Sequence, residues 1–222
     1  MVAYTTRRIT TFIVDDCPLL CEALTALLQR EQDFEVVGTS TDSDDGFRRI
    51  IDLKPDLVLC DVELPGRGAF TMAEEVLSRL PALSLVFFTN YVTDVFLDQT
   101  LRVNGRGYLL KRERSQRIVE ALRTAARGER CFSPEVLERL DYNPVGQRYL
   151  VRSNSYLLTL TNRQLEVLRH LARGESVKEV AKSMVLSERA IESHKYRIMQ
   201  KLGIHDRVEL ARYAIREGLT VP

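Results

Sequence analysis

No stretch of this chain approaches the roughly 20 consecutive apolar residues needed to cross a bilayer, so a helical membrane span is excluded. The amino-terminal Met1-Val2-Ala3-Tyr4-Thr5-Thr6-Arg7-Arg8 has no apolar segment long enough for a secretory signal. A cytoplasmic protein without a membrane partner is expected. Cysteine is scarce, and Cys17, Cys21, Cys60 and Cys131 form no C-x-x-C pair. Free thiols in a reducing compartment follow from that pattern. No G-x-G-x-x-G follows a strand-like run, which disfavours a dinucleotide enzyme. Net charge is also small, at +1 over 222 residues. The balance hides an asymmetry. Residues 1–128 hold 16 Lys and Arg against 19 Asp and Glu, net −3, whereas residues 129–222 hold 16 against 12, net +4. A basic second half is suited to a polyanion.

The first half is organised around Leu57-Val58-Leu59-Cys60-Asp61-Val62-Glu63-Leu64-Pro65-Gly66. A short apolar run bounded by turn signals reads as a parallel strand buried on both faces. It ends at Asp61. Similar runs are Thr11-Phe12-Ile13-Val14, Leu85-Val86-Phe87-Phe88 and Gly107-Tyr108-Leu109-Leu110, and Phe34-Glu35-Val36-Val37 alternates as an edge strand does. Helical spacing fills the intervals: Pro18 to Leu28, Asp42 to Leu53, Met72 to Leu80, Asp94 to Val103 and Ser115 to Ala126. Gly105 and Gly128 stand where helices should be capped. Strict alternation predicts a flavodoxin-like, doubly wound (βα)5 unit over residues 9–128.

The strand ends carry the chemistry. The first run ends in Asp15-Asp16, the third in Asp61, the fourth in Thr89-Asn90 and the fifth in Lys111. In the order 2-1-3-4-5, strands 1 and 3 are neighbours at the switch point where ligands bind. Asp15, Asp16 and Asp61 should therefore converge, and three close carboxylates repel unless a cation joins them. Mg²⁺ suits such a site because it is hard, octahedral and shares its shell with phosphate. Lys111 adds a point charge for phosphate oxygens, and Thr89 a hydroxyl donor. The set fits phosphoryl transfer, where positioning and charge neutralisation supply most of the catalysis.

The linker, 129–157, is expected to carry a short helix from Ser133-Pro134 to Leu140. A breaker cluster, Tyr142-Asn143-Pro144-Val145-Gly146, follows. A small hairpin of Tyr149-Leu150-Val151 with Tyr156-Leu157-Leu158 is expected around Arg152-Ser153-Asn154-Ser155, the whole acting as a hinge. From Leu160 the pattern is helical. Thr161 with Gln164 makes a capping box, and Leu165, Leu168, Leu171 and Ala172 form the apolar face. A short helix, Val177 to Met184, precedes a longer one, Glu188 to Leu202, capped by Ser187 and ended by Gly203. A fourth helix starts at Asp206. Short helix, tight turn and longer helix form a helix-turn-helix over Val177 to Tyr196. In the longer helix Ile191, Ile198 and Leu202 face inward, with Ala190 and His194 beside them. Arg189, Glu192, Ser193 and Tyr196 face out, with Lys195 and Arg197 at the sides. That mix suits a recognition helix: Glu192 can accept from a cytosine amine, and the cations can reach phosphates.

Two resemblances cover nearly the whole chain. Ile13-Val14-Asp15-Asp16, Asp61-x-x-Leu64-Pro65-Gly66, Phe88-Thr89 and Gly105-x-Gly107-Tyr108-Leu109-Leu110-Lys111 resemble a response-regulator receiver domain. Leu160-Thr161-x-Arg163-Gln164-x-Glu166-Val167-Leu168, Leu186-Ser187-Glu188, Ile191-Glu192-Ser193-His194 and Lys201-Leu202-Gly203, within 158–222, resemble a LuxR-type helix-turn-helix domain. Together they resemble the NarL/FixJ family of two-component response regulators. The resemblance implies that a sensor histidine kinase phosphorylates Asp61 and that Asp15, Asp16, Asp61 and the Glu63 backbone carbonyl hold Mg²⁺. It implies that Lys111 contacts the phosphoryl group while Thr89 and Tyr108 switch. It further implies a homodimer on promoter DNA working with RNA polymerase, and no enzymatic activity beyond the chain's own phosphoryl transfer and slow autodephosphorylation. Before phosphorylation the receiver either masks the recognition helix or disfavours dimers. Cys17, Asn90, Glu63 and Arg112 depart from the usual receiver pattern; Asn90 is expected to narrow access to Asp61, Glu63 to alter the approach of water or metal, and Cys17 and Cys60 to lie near the pocket. Two alternatives stay open: a phosphate-independent DNA-binding regulator with a vestigial receiver, and a Mg²⁺-dependent phosphohydrolase with an aspartate nucleophile. The second fits poorly, since haloacid-dehalogenase enzymes space their two aspartates at i and i+2 after the first strand, whereas Asp15 and Asp16 are adjacent.

Overall fold

A computed structural model of the chain describes residues 7–153 and 155–220. The first six residues, Asn154 of the linker, and residues 221–222 at the end of the second unit lie outside the described residues. In chain order the first unit runs β1 (Ile9–Val14), α1 (Pro18–Gln29), β2 (Phe34–Ser40), α2 (Ser43–Leu53), β3 (Leu57–Cys60), α3 (Ala69–Arg79), β4 (Ser84–Thr89), α4 (Asp94–Arg102), β5 (Gly107–Leu110) and α5 (Ser115–Ala126). The strands are parallel in the order β2-β1-β3-β4-β5, as the alternation predicts, with β2 at an edge. Every residue of β3, β4 and β5 is buried, so their apolar runs do not alternate.

The two faces of the sheet bury separate apolar clusters. Ile13, Leu59, Val86, Phe88 and Leu109 pack on Leu24 and Leu28 of α1 and Ile118 and Leu122 of α5. Phe12, Val58, Phe87 and Tyr108 pack on Phe47 and Ile50 of α2, Met72 and Val76 of α3 and Phe96 of α4. Each such side chain fully buried contributes about 1.5–3 kcal/mol. The second cluster does not stop at the first unit. It continues through Leu157, Leu160, Leu165, Leu168, Ile191 and Ile198 of the second.

Three local expectations are corrected. The left-handed turn after α4 falls on Asn104 (φ 59°), not on Gly105, because Gly105 returns its N–H to Thr100 at 2.9 Å. Gly128 does take φ 82° after α5. A sixth strand, β6 (Cys131–Phe132), extends the sheet beyond β5, where five strands were expected. Its signal was too short to read, being only two residues, both buried. The hairpin is also shifted. After α6 (Pro134–Leu137), β7 (Leu140–Asn143) pairs antiparallel with β8 (Arg148–Val151) across the Pro144–Gly146 breaker cluster. Tyr156–Thr159 forms a 3-10 turn instead of the expected partner strand. Asn143 fixes the turn, its Oδ1 accepting from Val145 and Gly146, and Tyr149 packs edge-on against Phe132 at 5.2 Å. Residues 131–151 thus carry regular structure, β6 within the large sheet and β7–β8 as a two-stranded sheet of their own.

The second unit holds α7 (Asn162–Ala172), α8 (Val177–Ser183), α9 (Glu188–Leu202) and α10 (Arg207–Arg216). The Thr161–Gln164 capping box is present, and a second one joins Ser176 to Glu179. Ser187 caps α9, which ends at Gly203 in the left-handed region.

Candidate functional site

The ends of β1, β3, β4 and β5 meet at one crevice because neighbouring parallel strands finish at the same sheet edge. Asp15 (1% exposed) follows β1, Asp61 (5%) follows β3, Thr89 (1%) ends β4 and Lys111 follows β5. Lys111 Nζ lies 2.8 Å from Asp15 Oδ2 and 2.9 Å from Asp61 Oδ2. Asp15, Asp16 and Asp61 each offer a carboxylate oxygen within 4.8 Å of the others, with Asp16 exposed. This all-oxygen donor set, open to solvent on the Asp16 side, fits Mg²⁺. The backbone holds the acids in place: Asp61 donates its N–H to the Val14 carbonyl at 2.8 Å, and Asp61 Oδ1 accepts from Val62 N–H at 2.7 Å. Cys17 N–H donates to Asp15 Oδ1 at 3.0 Å.

Burial raises the Asp61 carboxyl to about 6; Lys111 pulls it down and Asp15 pushes it up. Lys111 is opposed by its own burial, yet its hydrogen bonds and ion pairs to Asp15 and Asp61 raise it overall. One ammonium shared by two carboxylates leaves a site still short of positive charge. Cys60 is fully buried beside Asp61, and that burial pushes its thiol well up, which keeps it neutral and unreactive. Cys17 is exposed at the start of α1.

Thr89 Oγ1 accepts from Tyr91 N–H at 3.3 Å. Tyr108 is fully buried, and its hydroxyl donates to the Tyr91 carbonyl at 2.6 Å. The two side chains are thereby tied to one short segment after β4. Asn90 is exposed, and its backbone carbonyl accepts from Arg112 at 3.5 Å. The Glu63 side chain accepts from Arg173 at 2.9 Å.

On α9, Arg189, Glu192, Ser193, Tyr196 and Arg197 are exposed, while Ile191 and Ile198 are fully buried. Lys195 is partly covered and bonds Glu192 at 2.7–2.8 Å. His194 is half-buried, its Nδ1 without a partner among the described residues; desolvation, aided by Arg163 and Arg197, lowers its pKa. It has no metal-ligand neighbour among the described residues. The outward face of α9 is open, so the expectation that the receiver masks it does not hold for this form.

The receiver is instead covered by α7, which the apolar pattern did not reveal. Asn162 Oδ1 accepts from Gln99 Nε2 at 3.2 Å, and Glu166 Oε2 from Thr71 Oγ1 at 2.9 Å. Arg163 donates to the Arg67 carbonyl at 3.2 Å, Arg173 to Glu63 at 2.9 Å, and Arg102 to the carbonyls of Leu158 and Leu160. These residues are polar, and single polar residues carry no periodic signal.

The family described as response regulator receiver domain matches residues 11–123. The family described as bacterial regulatory proteins, luxR family, matches residues 158–214. The chain is similar to the uncharacterized transcriptional regulatory protein YxjL of Bacillus subtilis, 29% identical over 96% of this chain and 97% of that one. It is 28% identical to the oxygen regulatory protein NreC of Staphylococcus carnosus, over 93% and 97%. Among solved structures, it resembles RcsB from Salmonella enterica serovar Typhimurium bound to promoter P1flhDC in the presence of phosphomimetic BeF3-. That match has a TM-score of 0.68 and 25% identity, over 93% of this chain and 98% of that one. With both family matches falling on the two halves of a fold of this kind, the chain belongs to the NarL/FixJ-type response regulators, a receiver domain followed by a LuxR-type domain.

Proposed function

We propose that Asp61 accepts a phosphoryl group from a sensor histidine kinase and that this modification governs binding of α9 to promoter DNA. The observation that carries the reading is the Lys111 ammonium shared between Asp15 and Asp61 at 2.8 and 2.9 Å. Asp61 attacks phosphorus in line, and the donor histidine nitrogen leaves. Lys111 stays paired with Asp15 and neutralises the incoming phosphoryl oxygens. Asp15, Asp16, Asp61 and the Glu63 backbone carbonyl are the residues to hold Mg²⁺, which when bound offsets charge on the transferring group. Thr89 donates its hydroxyl to the new phosphoryl oxygens, which releases the segment at Tyr91 and frees Tyr108 to change rotamer.

Residues 9–128 are the unit that is modified and 158–222 the unit that binds DNA. Arg189, Glu192, Ser193 and Tyr196 face base edges, and Lys195 and Arg197 the backbone. Two copies on adjacent half-sites make the DNA-bound homodimer, which then acts on RNA polymerase. The chain's only chemistry is its own phosphorylation and slow dephosphorylation.

Labelling by acetyl phosphate with Mg²⁺ tests the reading. Wild type should take up phosphoryl and Asp61→Ala should not. Label retained by the variant overturns the assignment. DNA affinity that ignores the phosphorylated state supports a receiver that no longer switches.

A further inference from the structure

Glu166 lies where the two units meet. It is on α7 and only 4% exposed. Its Oε2 accepts from Thr71 on α3 at 2.9 Å and from Arg163 Nη1 at 3.2 Å. Its Oε1 is buried with no hydrogen-bond partner among the described residues. Facing it is Gly68, at the start of α3, with φ 85°. A Cβ on Gly68 would fall 1.2 Å from Oε1. The carboxyl tip therefore fills the space of an absent side chain. Gly68 cannot satisfy it, because its N–H already goes to Ser43 Oγ at 3.1 Å.

The surrounding charges leave the group short of support. Arg169, one turn along α7, is 7% exposed and sits over the Phe96 ring at 4.7 Å. Its Nε and Nη2 lack partners, and among the described residues no hydrogen bond joins it to Glu166. Arg67, in the loop before α3, turns away to Asp44 at 2.7 Å and Glu75 at 2.6 Å. On the other side a cleft of about 370 Å³ holds Asp16, Glu63, His170 and Arg173. Glu63 and Arg173 pair with each other, and His170 with Glu175. From α3, Glu74 faces Asn162 at 3.2 Å. An ionised carboxylate with one buried oxygen unpaired is costly, and a neutral carboxyl much less so. Burial outweighs both arginines and raises the Glu166 carboxyl to about 7.

We propose that Glu166 is the pin of a proton-coupled latch between the receiver and the DNA-binding domain: α7 seats on Gly68 and Thr71 with the carboxyl protonated and comes away when it ionises. The latch rests on the reading of the chain as a two-domain switch, and it gives that switch a second input besides phosphorylation. The direction follows from linkage. Free of the seat, the carboxyl has an ordinary value near 4.5; seated, it holds its proton up to about 7. Docking is therefore strongest below the lower value and weakens as pH rises through that window. It levels off above the upper value. The docking constant falls by at most tenfold per pH unit, roughly fortyfold between pH 5 and 7.

Small-angle X-ray scattering of the metal-free full chain from pH 5 to 8.5, without phosphodonor or DNA, tests this. The wild-type radius of gyration should grow between pH 5 and 7.5. Glu166→Gln, neutral at every pH, should stay compact throughout, and Thr71→Val should expand at lower pH than wild type. A wild-type radius that does not change with pH, or a Glu166→Gln variant that expands along with wild type, overturns the latch. Asp61 labelling plays no part in this measurement, so a failure here leaves the phosphorylation reading standing, and a failure there leaves the latch standing.

Discussion

Arg173 Nη2 lies 2.9 Å from Glu63 Oε1, which ties the last turn of α7 to a residue two places after Asp61. The pair is partly exposed, at 40% and 31%, so its worth is about 0.2–1 kcal/mol. A double-mutant cycle on Arg173→Ala and Glu63→Ala, read by urea unfolding at low salt, should return a coupling in that range. The coupling should fade in 0.5 M salt, a concentration that screens exposed charges on the order of a few ångströms. A coupling that persists unchanged at high salt contradicts a solvent-screened pair.

The acid cluster predicts a metal-dependent stability. Asp16 is exposed, so Asp16→Asn should leave the metal-free melting temperature within about 1–2 °C of wild type. Added Mg²⁺ should raise the wild-type melting temperature by mass action, while the variant should gain little. A variant that responds to Mg²⁺ as wild type does would remove Asp16 from the ligand set. Lys111→Met, by contrast, strips the shared cation from two buried carboxylates and should cost on the order of 3 kcal/mol without metal.

Much of that site was legible because each of its side chains directly follows or ends a buried strand. Asp15, Asp61, Thr89 and Lys111 stand at breaks in apolar runs, and parallel topology brings such breaks to one edge. The α7 contact was not legible. Leu165, Leu168 and Leu171 marked one apolar face, yet Glu166 and Arg169 are buried too because a second surface meets the receiver. A charged residue is read as solvated unless its partner is known, and the partners Thr71 and Phe96 lie about 95 and 73 positions away. The β7–β8 hairpin failed for a different reason. Tyr142–Gly146 was read as a breaker and the turn was placed at Arg152–Ser155, because Tyr156–Leu158 carries the same apolar spacing as a strand and competed for β8.

Arg123 gives an acid-sensitive tie within the receiver. From α5 it bonds Asp33 at 2.7 Å and Glu31 at 2.7 Å. The hydrogen bond from Arg123 holds Asp33 below its usual range. A lowered carboxyl stabilises the fold above its unfolded pKa, and that contribution is lost as pH falls through its folded value. All three groups are about a third exposed, so solvent screening limits Arg123→Met to about 1 kcal/mol at pH 7. The difference from wild type should shrink as pH falls below about 4, near the ordinary aspartate value. Chemical denaturation at pH 7 and pH 3 checks it, and an undiminished gap at pH 3 refutes it.

The recognition helix separates two kinds of cation. Arg189 and Arg197 are exposed and make no ion pair among the described residues, whereas Lys195 holds Glu192 at 2.7 Å. An unpaired arginine that reaches a phosphate releases a counterion, so Arg197→Ala should lower the slope of log affinity against log salt by about 0.9. Lys195 must first leave Glu192, and in its absence Glu192 faces DNA uncompensated. If Glu192 reads a base pair as proposed, Lys195→Ala should therefore weaken binding on all sequences and change discrimination at that base pair by about 1–3 kcal/mol. Titrations at three salt concentrations, on a cognate site and on single-base variants, separate these effects. If Lys195→Ala shifts only the salt slope and every base variant shifts equally, Lys195 is a plain backbone contact and its pairing with Glu192 has no part in reading DNA.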